Sequence, residues 1–168
     1  MDIKEINSIS GVSDQLNSLL IDCVENGASV GFLTPINREE IESYWIEVES
    51  DLNSGGRRLF IVQDENVIIG AVQLSLCSKA NGSHRGEVEK LMVKTSARRQ
   101  GISKKLMTLM ENTASELGLQ LLVLDTRLGD VASLLYRSIG YIEAGQIPEF
   151  ARSSSGKLEA TVYFYKQL

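Results

Sequence analysis

The chain has 168 residues, 43% of them hydrophobic and 23% charged, with only 2 Pro, which suits one ordinary domain with its own core and no Pro/Gly/Ser-rich linker. A formal net charge of −5 argues against a nucleic-acid partner, whose phosphates demand a basic surface. There is no apolar run of about 18 residues, and Met1-Asp2-Ile3-Lys4-Glu5 is unlike a signal peptide, so the expectation is a cytoplasmic protein with no membrane contact. Cys23 and Cys77 stand far apart without metal-ligand spacing and are expected to be buried thiols, with no metal site.

Leu16, Leu19, Leu20 and Val24 recur at helical spacing within Ser13 to Glu25, and Asn26-Gly27 supplies a stop. A second helix is predicted from Asn37, which caps it ahead of Glu39, Glu40 and Glu42, through Tyr44, Trp45 and Val48. Leu59 to Val62 and Val67 to Leu76 read as antiparallel strands about a turn at Asp64-Glu65-Asn66. Next come a strand over Glu87 to Val93, a helix over Ile102 to Leu117 and a strand over Leu121 to Leu124. A helix over Val131 to Ile139, a strand over Tyr141 to Gly145 and a last strand near Ala160 to Tyr165 complete the pattern. This order predicts an α/β fold, a mixed sheet flanked by helices, with a parallel right-handed strand–helix–strand unit at its centre. Cys77 to Arg85 and Pro148 to Lys157 are expected to be loops. Trp45, expected to be exposed, and the C-terminal strand are weak candidates for a homodimer contact, so monomer and homodimer both stand.

The segment from Leu91 to Leu106 joins an apolar strand to a helix whose stripe is Ile102, Leu106, Leu109, Met110, Ala114 and Leu117, stopped at Gly118. A helix N-terminus offers free N–H groups and the positive end of its dipole, Gly101 allows close approach, and Arg98, Arg99 and Lys104 add local charge to an acidic protein. That combination suits a pyrophosphate. Neither GxxxxGK[ST] nor GxGxxG is present, which removes the nucleoside-triphosphate and dinucleotide readings.

Arg98-Arg99-Gln100-Gly101-Ile102-Ser103 resembles the Q/R-x-x-G-x-G/A acetyl-CoA signature of the GNAT superfamily of N-acetyltransferases, with Ser103 where Gly or Ala is usual. The resemblance implies a mostly antiparallel mixed sheet with about four helices and a splayed central strand pair. It also implies acetyl-CoA as cosubstrate, its pantetheine along Leu91, Met92 and Val93 and its pyrophosphate in the loop from Arg98 to Ser103, with Lys104 and Ser133 contributing.

Ala132 to Tyr141 resembles the family's A-x-x-x-Y-x-x-x-G-[FY] segment, which makes Tyr136 the general acid facing the CoA sulfur. Gly129 stands where the family often has an Asn. Glu87 and Asp125 are the candidate bases, Asp125 at the end of its strand and Glu87 sharing a face with Glu89, Leu91 and Val93 by alternation. Glu89 reads as a paired or solvated carboxylate, the pair being with Lys90 or Arg85, and His84 as a surface residue.

Gly27 to Phe32, Gln73 to Cys77, Glu87 to Val93 and Leu124 to Thr126 further resemble the branch that confers resistance to tabtoxin, a β-lactam amino acid. That implies a small-molecule amine as acceptor, with Gly27 to Phe32 and Pro148 to Lys157 flanking its pocket. A protein or peptide N-acetyltransferase and a non-enzymatic acetyl-CoA-binding module are the alternatives.

Overall fold

The computed structural model describes residues Met1–Leu168. It begins with a strand not anticipated from sequence, β1 (Asp2–Ile6), which pairs antiparallel with β2 (Arg57–Asp64) through contacts that reach across more than fifty residues. Helix α1 (Ser13–Glu25) buries Leu16, Leu19, Leu20, Cys23 and Val24, the stripe its spacing demanded. Helix α2 (Arg38–Ser54) is capped by Asn37, whose side chain accepts from the Glu39 and Glu40 N–H groups at 3.1 and 3.3 Å. β2 turns into β3 (Val67–Leu76) through Glu65 and Asn66, both with positive φ (46° and 68°), the backbone a two-residue hairpin requires.

β4 (Arg85–Val93) leads to α3 (Ile102–Glu116), then β5 (Leu121–Arg127), α4 (Ala132–Ser138), β6 (Ile142–Arg152) and β7 (Leu158–Gln167). The seven strands form one sheet in the order β1-β2-β3-β4-β5-β7-β6, antiparallel except for β4 beside β5. This is the mixed α/β architecture with four helices expected from the element pattern. β6 runs on through Arg152, so the expected loop from Pro148 is strand as far as Arg152. Pro148 is tolerated because β6 is an edge strand and its ladder is already broken by an irregularity between Ile147 and Ala151.

Alternation along the strands sends side chains into two cores. Leu59, Ile61, Ile68, Ala71 and Met92 pack under α1 and α2, while Phe60, Val62, Val72, Leu74, Val88, Leu122, Leu124 and Phe164 pack under α3 and α4. Trp45 is 1% exposed within the first of these, which corrects the expectation of an exposed dimer contact. Its ring continues the apolar face of α2 onto α1. α3 lies close on β3 because Gly70 has no side chain; a Cβ there would stand 3.0 Å from Ile102 and 3.2 Å from Leu106. That close seat fixes where the α3 N-terminus points. Cys23 is buried as expected, whereas Cys77 is only half-buried.

Candidate active site

β4 and β5 are hydrogen-bonded partners over three residue pairs only, Arg85–Glu87 against Leu121–Val123. Beyond these β4 stays with β3 and β5 with β7, so the two strands part. A cavity of about 900 Å³ opens into the gap, lined by β4 from Glu87 to Val93, by the turn and first residues of α3, by Asp125 to Arg127 and by Tyr136.

One end of the cavity is backbone. The chain leaves β4, makes a 3₁₀ turn at Thr95–Ala97 and enters α3 through Arg99 (φ 63°) and Gly101 (φ 74°). The N–H groups from Arg99 to Lys104 have no acceptor in the protein, the first helical backbone bond being that of Lys105 to Gly101. A Cβ on Gly101 would meet nothing within 4 Å, so open space faces this loop. Asp22 of α1 anchors the turn by accepting from Thr95 N–H and Thr95 Oγ1, each at 2.8 Å. Arg98, Arg99, Gly101, Ile102, Ser103 and Lys104 line the cavity. Gln100 does not, and neither does Ser133, whose Oγ is buried without a hydrogen-bond partner. Ser133 lies on the turn of α4 before Tyr136, and the cavity wall is made instead by Ala132, Leu135 and Tyr136.

The other end is made of side chains. Glu87 is solvent-accessible at the cavity, where partial desolvation first, and then the charges of Glu89 and Asp125, raise its carboxyl above the usual range. Asp125 is held by Thr161, whose hydroxyl donates to Asp125 Oδ2 at 2.7 Å. It lies inside β5, paired with Tyr163, rather than beyond the strand's end, because β5 runs on to Arg127. Tyr136 is 6% exposed, its ring packed near Tyr141 and Phe164 at 5.8 and 6.0 Å between centroids. Burial, then Asp130 and Asp125, push its phenol well above the ordinary tyrosine value, so it stays protonated. The hydroxyl makes no hydrogen bond within the protein.

Strict alternation along β4 fails at Lys90. Gln73 pairs with Glu89 and Ala71 with Met92, so Lys90 and Leu91 together oppose Val72, and Lys90 takes φ 52°. As a result Met92 follows Glu89 on the α1/α2 face, while Leu91 and Val93 pack with the α3 core. The expectation that Glu87, Glu89, Leu91 and Val93 share a face is thereby corrected. Glu89 is paired as expected, though with Arg57, whose Nη1 lies 2.8 Å from its Oε2. Arg57 also reaches Asp51 and donates to Gln73 Oε1 at 2.7 Å, and Gln73 is fully buried. His84 is exposed.

Residues 15–141 match the acetyltransferase (GNAT) family model. The chain belongs to the GNAT family of acetyltransferases. A relative described as an uncharacterized N-acetyltransferase of Azospirillum brasilense is 32% identical over 108 residues, which cover 63% of this chain and 62% of that protein's length. The fold is similar to that of a ribosomal-protein-alanine N-acetyltransferase from Brucella melitensis, with TM-score 0.81, 22% identity and full coverage of both chains. It is also similar to a phosphinothricin acetyltransferase from Sinorhizobium meliloti solved with acetyl-CoA, with TM-score 0.80, 18% identity and coverage of 100% of this chain and 89% of that one. A putative acetyltransferase from Salmonella typhimurium, solved with its cofactor acetyl-CoA, gives TM-score 0.79, 15% identity and coverage of 100% and 95%.

Sequence reading missed Thr161 and Lys90 as contributors to the cavity. Thr161 reaches it from β7 and Lys90 through the bulge in β4, while Phe150 to Ser153 fall within the Pro148 to Lys157 stretch expected to flank the acceptor pocket. No helix is long and apolar enough to cross a membrane.

Proposed function

We propose that the protein transfers the acetyl group of acetyl-CoA to the amine of a small molecule, with Tyr136 as acid and Glu87 or Asp125 as base. The observation that carries this reading is that one cavity holds both the unpaired N–H groups of the α3 turn and these three side chains. The donor half fits the cosubstrate in its own chemistry: consecutive free N–H groups, a helix N-terminus and Arg98, Arg99 and Lys104 would receive a pyrophosphate. The parted edges of β4 and β5 leave room beside Leu91 to Val93 for an extended arm.

Acetyl-CoA supplies an activated thioester carbonyl. Glu87 or Asp125 takes a proton from the acceptor's ammonium, directly or through water, and frees the lone pair that forms the new C–N bond. As the C–S bond breaks, the Tyr136 hydroxyl gives a hydrogen bond and then its proton to the departing thiolate, and the proton lost by the amide nitrogen restores it. Burial suits Tyr136 to that task because it keeps the phenol a donor.

A small acceptor is favoured over a protein by a tie between the two segments that flank the acceptor end. Thr34 N–H and Thr34 Oγ1 both donate to the Ser154 carbonyl, at 3.0 and 2.6 Å, tying the loop after Gly31 to the β6–β7 turn. The segments flanking the acceptor end, Gly27 to Gly31 and Phe150 to Ser153, are those that resemble the tabtoxin-resistance branch or lie within its implied pocket loops, which favours an amino-acid-like amine. The supply of acetyl-CoA in the cytoplasm favours function there.

Calorimetric titration of acetyl-CoA tests the reading at its base. Wild type is expected to bind at micromolar concentration, Gly101→Ala within about tenfold of that, since only left-handed strain of about 1 kcal/mol is added, and Gly101→Glu not measurably. Absence of binding to wild type would end it.

A further inference from the structure

Six cations line the cavity: Lys90, Arg98, Arg99, Lys104, Arg127 and Arg152. Arg98, Arg99 and Lys104 belong to the α3 turn. At the acceptor end Arg127 pairs with Asp130 at 4.0 Å, and Arg152 donates to the Gly156 carbonyl at 3.0 Å. Among the three cations of the acceptor end, Lys90 alone has neither an ion pair nor a hydrogen bond. Its nearest acid in sequence, Glu89, is committed to Arg57.

The position of this ammonium is built. In a regular strand Lys90 would point into the apolar core under α3, where Val88 lies. The bulge, with its positive φ at a residue that rarely adopts it, turns the side chain onto the cavity face instead. There Nζ stands 5.4 Å from the centroid of the Tyr44 ring, and a Cβ on Gly31 would lie 3.4 Å from it. The floor is the aromatic face of Tyr44, itself fixed by Gln73, whose Nε2 donates to Tyr44 Oη at 2.9 Å. The groups facing Lys90 are thus Tyr44 from α2, Gly31 from the loop after α1, Glu89 and Glu87 from its own strand, Arg57 from β2 and Asp125 from β5. Desolvation first, and the Arg57 charge with it, lower the Lys90 pKa against the opposing pull of Glu89, Asp125 and Glu87.

Resting on the function proposed above, we propose that the acceptor carries a carboxylate in addition to its amine, and that Lys90 is the specificity-determining residue that receives it. The acceptor end then has two complementary halves: Glu87 and Asp125 attract the ammonium to be acetylated, and Lys90 takes the anionic group of the same molecule. The substrate class is the zwitterionic amino acid and its close analogues. No bond is made or broken at Lys90, which acts by a charge-assisted hydrogen bond.

The test is steady-state acetylation of matched sets, each a free L-amino acid, its carboxamide and the amine lacking the carboxyl group, by wild type, Lys90→Met and Lys90→Arg. Acetyl-CoA titration of all three proteins runs beside it. Wild type is expected to favour the acid over the amide by roughly 10-fold to 100-fold in kcat/KM, the worth of a hydrogen bond to a charged group. Lys90→Met is expected to bring that ratio near 1 through KM, and Lys90→Arg to restore part of it. As a second readout, N-acetyl amino acids should bind the CoA-loaded wild type and not CoA-loaded Lys90→Met.

Equal use of acids and amides by wild type overturns the inference, and so does a Lys90→Met enzyme whose kcat falls alike for every acceptor with the ratio intact. Loss of acetyl-CoA binding in Lys90→Met overturns it too, by making the residue part of the donor half. Wild type that binds acetyl-CoA but acetylates no acid in the sets defeats this inference alone, whereas wild type that does not bind acetyl-CoA defeats the proposed function.

Discussion

The two ends of the cavity are built in opposite ways. The end assigned to the acetyl donor is a continuous run, Arg98 to Lys104, in which main-chain N–H groups and a helix terminus provide the chemistry. The end assigned to the acceptor is collected from four distant stretches: Gly27 to Gly31, Glu87 to Lys90, Asp125 to Arg127 and Phe150 to Ser153. A backbone site tolerates changes of side chain and is recognisable wherever the local pattern recurs. A side-chain site depends on register, on bulges and on neighbours far away in sequence, so a new acceptor is reached by a few substitutions without disturbing the donor.

Tyr136 sits where the two ends meet, and its replacement should have the largest effect on turnover. Tyr136→Phe is expected to lower kcat by about 10² to 10⁴-fold, the range for removing a general acid, with little change in acetyl-CoA affinity. A Phe variant with normal kcat would assign the proton to another donor and leave Tyr136 as a packing residue against Tyr141 and Phe164.

The next effect tests the acceptor end's foundation. Arg57 is 12% exposed and joins Asp51, Gln73 and Glu89. Arg57→Met leaves Gln73 Oε1 with Tyr44 Oη, at 3.1 Å, as its one remaining donor and frees Glu89, at a cost of about 2–4 kcal/mol in stability measured by denaturant unfolding. Released Glu89 is then free to engage Lys90, so the acceptor KM should rise while acetyl-CoA binding holds. Asp22→Ala is the counterpart at the donor end. It removes both acceptors of Thr95, at a cost of about 1–3 kcal/mol, and should weaken acetyl-CoA binding with the acceptor KM unchanged. If either variant disturbs both ends alike, the cavity is one cooperative unit and the contrast fails.

What could be read from sequence divides along the same line. Ser13–Glu25, Val67–Leu76 and the α3 turn follow from local spacing, caps and turn residues, and they appear where those signals put them. β1 was missed because five residues carry too little period-2 signal without their partner β2. The expectation of Asp125 at a strand end fails because pairing with β7 carries β5 on through Thr126 and Arg127. The face of Leu91 and the aim of Lys90 were out of reach, since a bulge is fixed by the register of β3 against β4 and leaves no local mark. Trp45 illustrates the burial side of the problem: a helix with many acidic residues conceals one face that is entirely covered by α1 and the sheet.

The smallest effect is the one whose sign is most informative. Glu87 is held above the usual carboxylate range by its partly desolvated place at the cavity and by Glu89 and Asp125, so the folded state binds its proton more tightly than the unfolded chain does. Stability from this group is therefore fully present below the ordinary carboxylate pKa, is lost as pH rises through the raised value, and is absent at neutral pH. Glu87→Gln carries no charge and escapes that loss. Because Glu87 is solvent-accessible the effect is screened, and Tm at pH 7 should rise by no more than about 2 °C. Over the same window the wild-type Tm should fall with rising pH relative to that of the variant. If Glu87 is the base, the stabilised variant also loses activity, and the low-pH limb of the wild-type kcat/KM profile disappears with it. A variant that gains Tm but keeps that limb leaves Asp125, held by Thr161, to take the proton.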